Sequence, residues 1–86
     1  MPADMEGQAR AALENLSKGL NAVGAGFADI VTANRFCTDL SDQDSLNRVW
    51  GEYFGDSKPT TTTVQVVQLA TDPRCLVEID AVAIID

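Results

Sequence analysis

The chain has 86 residues, 45% of them apolar and 22% charged, an ordinary balance for one small globular domain. Six basic against thirteen acidic residues give a net charge of −7, and Arg10, Lys18, Arg35, Arg48, Lys58 and Arg74 stand singly, so the clustered cations of a nucleic-acid surface are missing. Histidine is absent, which removes imidazole-dependent triads and the commonest metal ligand and leaves carboxylates, hydroxyls, two thiols and backbone groups for chemistry.

Met5, Ala9, Ala12, Leu13, Leu16, Leu20 and Val23 recur at helical spacing and predict an amphipathic helix from Asp4 to Val23. Asp4 suits its N-cap, and Gly24-Ala25-Gly26 its stop. Ile30 to Thr38 is rich in β-branched and aromatic residues and predicts a strand. Ser41-Asp42-Gln43-Asp44 then opens a second helix with a stripe of Leu46, Val49, Trp50, Tyr53 and Phe54, ending at Gly55. Pro59 leads into a strand from Thr60 to Leu69, and a turn at Thr71–Arg74 leads into a last strand beginning at Leu76. Residues 1–86 are expected to form one α+β domain, two helices packed on one face of a small mixed sheet. The other sheet face is left for another subunit to cover.

Cys37 and Cys75 lack the Cys-x-x-Cys spacing of metal and redox motifs, and free thiols are favoured over a disulfide. With no apolar signal segment and no run of membrane-spanning length, a cytoplasmic setting is the default. Trp50, Tyr53 and Phe54 are expected in a core or interface, and the Thr60–Thr63 hydroxyls in a strand. Cys75 beside Arg74 is a weak candidate for an activated thiolate.

The last strand is the most telling segment. Glu78 and Asp80 interrupt Leu76-Val77-Glu78-Ile79-Asp80-Ala81-Val82-Ala83-Ile84-Ile85-Asp86, which otherwise reads as a buried strand. By the two-residue period both fall on the Leu76/Val82/Ile84 face. A buried carboxylate is either a general acid or base with a raised pKa or a partner in a structural pair. Asp80 fits the structural role better.

Several stretches carry a family resemblance over nearly the whole chain. They are Pro2-Ala3-Asp4 with Gln8-Ala9-Arg10 and Asn15, Ala28-Asp29-Ile30-Val31 with Thr38-Asp39-Leu40, Asn47 with Tyr53-Phe54-Gly55, and Lys58-Pro59 with Thr63-Val64-Gln65-Val66. The ending, Leu69 and Val77-Glu78-Ile79-Asp80-Ala81-Val82-Ala83, is the most specific. The chain resembles the RidA/YjgF family of enamine and imine deaminases. That resemblance implies a chorismate-mutase-like fold and a homotrimer with small-molecule sites between subunits. It also implies hydrolysis of 2-imino and enamine acids to 2-oxo acids and ammonia, without metal or cofactor. In such a site an arginine holds the substrate carboxylate and a glutamate on the last strand positions or activates water; Glu78 matches that glutamate.

Two departures accompany the match. Thr61 stands at the arginine's position and Thr63 at that of a frequent cysteine, and threonine cannot make the bidentate contact that recognises a carboxylate. No spare arginine sits nearby to compensate. The usual N-terminal β-hairpin, with its aromatic and Ser-Gly-Gln segment, is also missing, as in a short form or a sequence begun downstream of its true start. The expected function is therefore binding of small 2-oxo and 2-imino acids through Thr61 and Thr63, with Glu78 as the catalytic position and deaminase activity weakened. An active 2-iminobutanoate/2-iminopropanoate deaminase and a non-catalytic, chaperone-like subunit are the alternatives. Nothing in the residues supports the ribonuclease and translation-inhibitor labels that the family also carries.

Overall fold

Two helices form where the apolar stripes fall. The computed structural model describes residues 1–85, in which helix α1 spans Met5–Ala22 and helix α2 spans Gln43–Phe54. Strands β1, β2 and β3 span Ile30–Cys37, Thr60–Gln65 and Val77–Ala83. Asp86 lies outside the described residues.

Asp4 caps α1 by accepting the Gly7 N–H at 2.8 Å. Such a bond satisfies one of the free donors of the first turn. Replacing Asp4 with Ala is expected to cost about 1 kcal/mol, read as a fall of about 4–8 °C in Tm. The far end closes with Ala25 N–H donating to Leu20 C=O and Gly24 N–H to Asn21 C=O, a Schellman pattern that needs the left-handed backbone at Gly24, φ +75°. Gly55, φ +57°, ends α2.

The two helices run side by side in the same direction. Glu6 pairs with Arg48, Arg10 with Glu52 and Glu14 with Tyr53, so partners advance together along both. Beneath them lie Met5, Ala9, Leu13, Leu46, Val49 and Phe54. Leu13, Leu46 and Val49 are fully enclosed, each stabilising the fold by about 1.5–3 kcal/mol through burial.

The sheet order is β2-β1-β3, with β1 parallel to β2 and antiparallel to β3. The parallel pair requires a crossover, and α2 supplies it. Strand alternation then divides the side chains. Ala33, Arg35 and Cys37 of β1, Thr61 and Thr63 of β2, and Val77, Ile79, Ala81 and Ala83 of β3 face the helices, as the cross-strand pairs Arg35–Thr63 and Arg35–Ile79 require. Thr32, Asn34, Phe36, Thr60, Thr62, Val64, Glu78, Asp80 and Val82 share the open face.

The expected α+β sandwich is present, with two differences in extent. β2 ends at Gln65 rather than Leu69: Val66 N–H still donates to Cys37 C=O at 2.8 Å, then the chain leaves the sheet and Leu69 is buried from a loop. β3 stops at Ala83, and Ile84 and Ile85 are exposed.

Candidate functional site

Glu78 and Asp80 fall on one face of β3 as expected, but both are exposed. The burial predicted for them is absent in a single chain, because helices cover only the opposite face. Asp80 Oδ1 accepts from Asn34 Nδ2 at 2.9 Å, a cross-strand bond that gives it a structural role. Glu78 sits beside Phe36 in register. Its carboxylate points away from the helices.

Thr61 and Thr63 lie on the other side of the sheet. Thr61 Oγ1 donates to the Pro59 C=O at 3.0 Å, and Thr63 Oγ1 accepts from Arg35 Nε at 2.9 Å. The structure therefore corrects one expectation: an arginine does stand here, brought by β1 from 28 residues away. Arg35 is 5% exposed and its guanidinium lies 5.0 Å from the Trp50 ring centroid. Such stacking is worth up to about 2 kcal/mol when desolvated.

A pocket of about 300 Å³ opens between α2 and β2, lined by Arg35, Asn47, Trp50, Lys58, Pro59 and Thr61. Lys58 Nζ donates to Gly55 C=O at 2.9 Å at the end of α2. Burial pulls the Arg35 pKa down from its ordinary value, with the neighbouring Cys37 acting weakly in the other direction. Guanidinium nonetheless stays charged across the physiological range. Burial also pushes the Cys37 thiol up, opposed by Arg35, which keeps that cysteine a packed, unreactive thiol.

A second cavity, about 200 Å³, is lined by Asp4, Met5, Asp39, Ser41, Asp42 and Leu76. Its carboxylates already serve local turns: Asp4 caps α1, Asp39 accepts from Ser41 N–H, and Asp42 accepts from Ser45 Oγ. No cluster among the described residues could hold a metal ion. The cationic pocket is the better candidate for a ligand.

Cys37 and Cys75 are both free. Arg74, proposed to activate Cys75, is instead held by Asp72 through Nε and Nη2 at 3.1 and 2.9 Å. That guanidinium and the Arg74 backbone N–H hold the Asp72 carboxyl down at about 2. Trp50 and Phe54 are buried in the core, as expected, and Trp50 also forms a wall of the pocket.

Gln8 had no assigned role beyond its place in the resemblance. It is 5% exposed, donates from Nε2 to Pro2 C=O at 2.9 Å and Arg74 C=O at 3.0 Å, and accepts Leu76 N–H at 2.6 Å. One amide ties the N-terminus to the approach of β3.

The sequence pattern of the family described as endoribonuclease L-PSP matches residues 1–85. This chain belongs to the RidA/YjgF family. Its fold superposes on the crystal structure of Rv2704 from Mycobacterium tuberculosis, of the YjgF/YER057c/UK114 family, with a TM-score of 0.94 at 34% identity, covering 99% of this chain and 71% of that one. It also matches Escherichia coli TdcF with bound serine, with a TM-score of 0.91, 36% identity and coverage of 100% and 68%. The bovine protein named 2-iminobutanoate/2-iminopropanoate deaminase is 33% identical, over 98% of this chain and 60% of its own. The chain spans about three-fifths of the length of the curated relatives it matches, 62%, 61% and 60% in three of them. Among the described residues, no helix of this RidA-family chain is long and apolar enough to cross a membrane.

Proposed function

We propose that this RidA-family chain binds small 2-oxo and 2-imino carboxylic acids in a cleft between copies of itself in a homotrimer, and that it hydrolyses 2-imino acids to 2-oxo acids and ammonia weakly. The observation that carries this reading is the division of the sheet. Glu78 is on the open face, whereas Thr61 and the pocket are on the helix face, so one ligand reaches both only where two copies meet. The exposed Val31, Val64 and Val82 side chains supply apolar surface for such a contact. Serine bound to TdcF and the name of the bovine relative favour a small ligand with a carboxylate.

In this cleft water adds to the carbon of the C=N bond, and Glu78 of one copy orients the water and accepts its proton. Glu78 returns that proton to the nitrogen of the carbinolamine, the C–N bond breaks to release ammonia, and the hydroxyl gives up its proton as the carbonyl of the 2-oxo acid forms. Basicity and position are what the carboxylate contributes. Without an arginine at position 61 the edge strand adds no charged contact of its own to the ligand's carboxylate, and weak turnover is expected.

A coupled assay following 2-iminobutanoate hydrolysis against its spontaneous rate tests the reading. Thr61→Arg is expected to raise kcat/KM by about tenfold, the worth of one charge-assisted contact of about 1.4 kcal/mol. A wild-type rate already equal to that of the variant would overturn the claim of weakened activity.

A further inference from the structure

We infer that Arg35 is the carboxylate-binding group of this chain, holding a small monocarboxylate in the pocket between α2 and β2. The inference deepens the proposed function by assigning its ligand anchor, and it stands on the pocket itself. Arg35 is 95% buried by its 5% exposure, yet among the described residues it has no acidic partner. A buried, permanently charged group without a counterion costs several kcal/mol. Stacking on Trp50 and one bond from Nε to Thr63 offset part of that cost.

Nε is spent on Thr63, while no protein acceptor among the described residues takes Nη1 or Nη2. Neither is a sealed, unsatisfied atom. Both therefore keep some accessible surface, and Arg35 lines the pocket between α2 and β2. A carboxylate there accepts two parallel N–H bonds from the fork and supplies the missing countercharge.

The other walls fit the rest of such a ligand. The Trp50 ring offers an apolar face to a short alkyl chain, the Asn47 amide a donor to a carbonyl or imine at C2, and Lys58 a second positive charge at the mouth. In a protein of net charge −7, two cations at one pocket reverse the local field that an anion meets. β1 is one strand spacing, about 4.8 Å, inward of β2, so the anchor has moved along the sheet relative to an arginine at position 61.

Trp50 is the single tryptophan, so its fluorescence reports the pocket directly. Titrations with propanoate, 2-oxobutanoate and the neutral propanamide, with calorimetry in parallel, are expected to give saturable binding of both acids and none of the amide. Arg35→Met is expected to weaken the acids by at least 30-fold and Lys58→Met by about 2–5-fold. Equal binding of propanamide, or unchanged affinity in Arg35→Met, would overturn the assignment. If circular dichroism shows Arg35→Met to be unfolded, Arg35→Lys decides instead, with at least a tenfold loss expected from losing the fork and an unchanged affinity counting against it. Propanoate binding without 2-oxobutanoate binding would leave Arg35 as an anion site and sink the proposed ligand class. Binding of 2-oxobutanoate that ignores Arg35 would keep that class and sink this assignment.

Discussion

Glu78→Gln is expected to lower imine hydrolysis above the spontaneous rate by about 100-fold, the lower end of what a positioned general base contributes. Ligand affinity at the Trp50 pocket should change little, because Glu78 projects from the opposite side of the sheet. The decisive version mixes two defective proteins. Arg35→Met keeps Glu78 but lacks the anchor, and Glu78→Gln keeps the anchor but lacks the base. If each cleft takes its anchor from one copy and its base from the next, equal mixing in a ring of heterologous contacts leaves about one cleft in four intact. Recovery of about a quarter of wild-type activity on co-refolding is therefore expected. Two defective proteins that stay inactive together, while forming mixed assemblies by native mass spectrometry, would show that a single chain holds the whole site.

Gln8→Ala is expected to destabilise the fold by about 2–4 kcal/mol, since it removes a buried amide and leaves the part-buried Leu76 N–H and the Arg74 C=O without the partners they now have. For a domain of this size that is a drop of about 10–25 °C in Tm. Gln8→Glu separates bonding from shape. Its carboxylate would still accept from Leu76 N–H but would set a second oxygen against the Pro2 and Arg74 carbonyls, which now receive N–H donors. Burial among acceptors raises the folded-state pKa of that carboxyl above its unfolded value of about 4.3. The penalty is then smallest at low pH, grows as pH rises through the unfolded pKa, and levels off above the folded one. Urea unfolding between pH 4 and pH 7 measures it. Equal destabilisation at both pH values would mean that the oxygen finds other partners.

What the sequence disclosed follows from how local each signal is. The stripe from Met5 to Leu20, with Asp4 ahead and Gly24 behind, specifies α1 through neighbours three and four residues apart. The parity of Glu78 and Asp80 is equally local, and both share a face in the structure. Which face stays open is not local, since it depends on where both helices dock, so exposed carboxylates were read as buried ones. The run after Gln65 keeps β-forming residues, but no strand continues alongside to pair with them. Arg35 and Gln8 were the least legible. A single charged residue within a strand, or a single amide on a helix, gains meaning only from partners 28 and 66 residues distant. The family resemblance directed attention to position 61 and away from position 35, because a motif compares aligned positions while a pocket collects neighbours across strands.

The alternation along β1, β2 and β3 also shapes how this protein can change over time. Residues 35 and 61 face the pocket side and residues 78 and 80 the opposite surface, so the pocket can drift by point substitution while the surface proposed to meet another copy is preserved. Insertions behave differently. One extra residue within β2 would turn every later side chain through to the wrong face, exchanging recognition groups for contact groups in a single step. Selection on such a chain should therefore tolerate altered side chains within its strands far more readily than altered strand length.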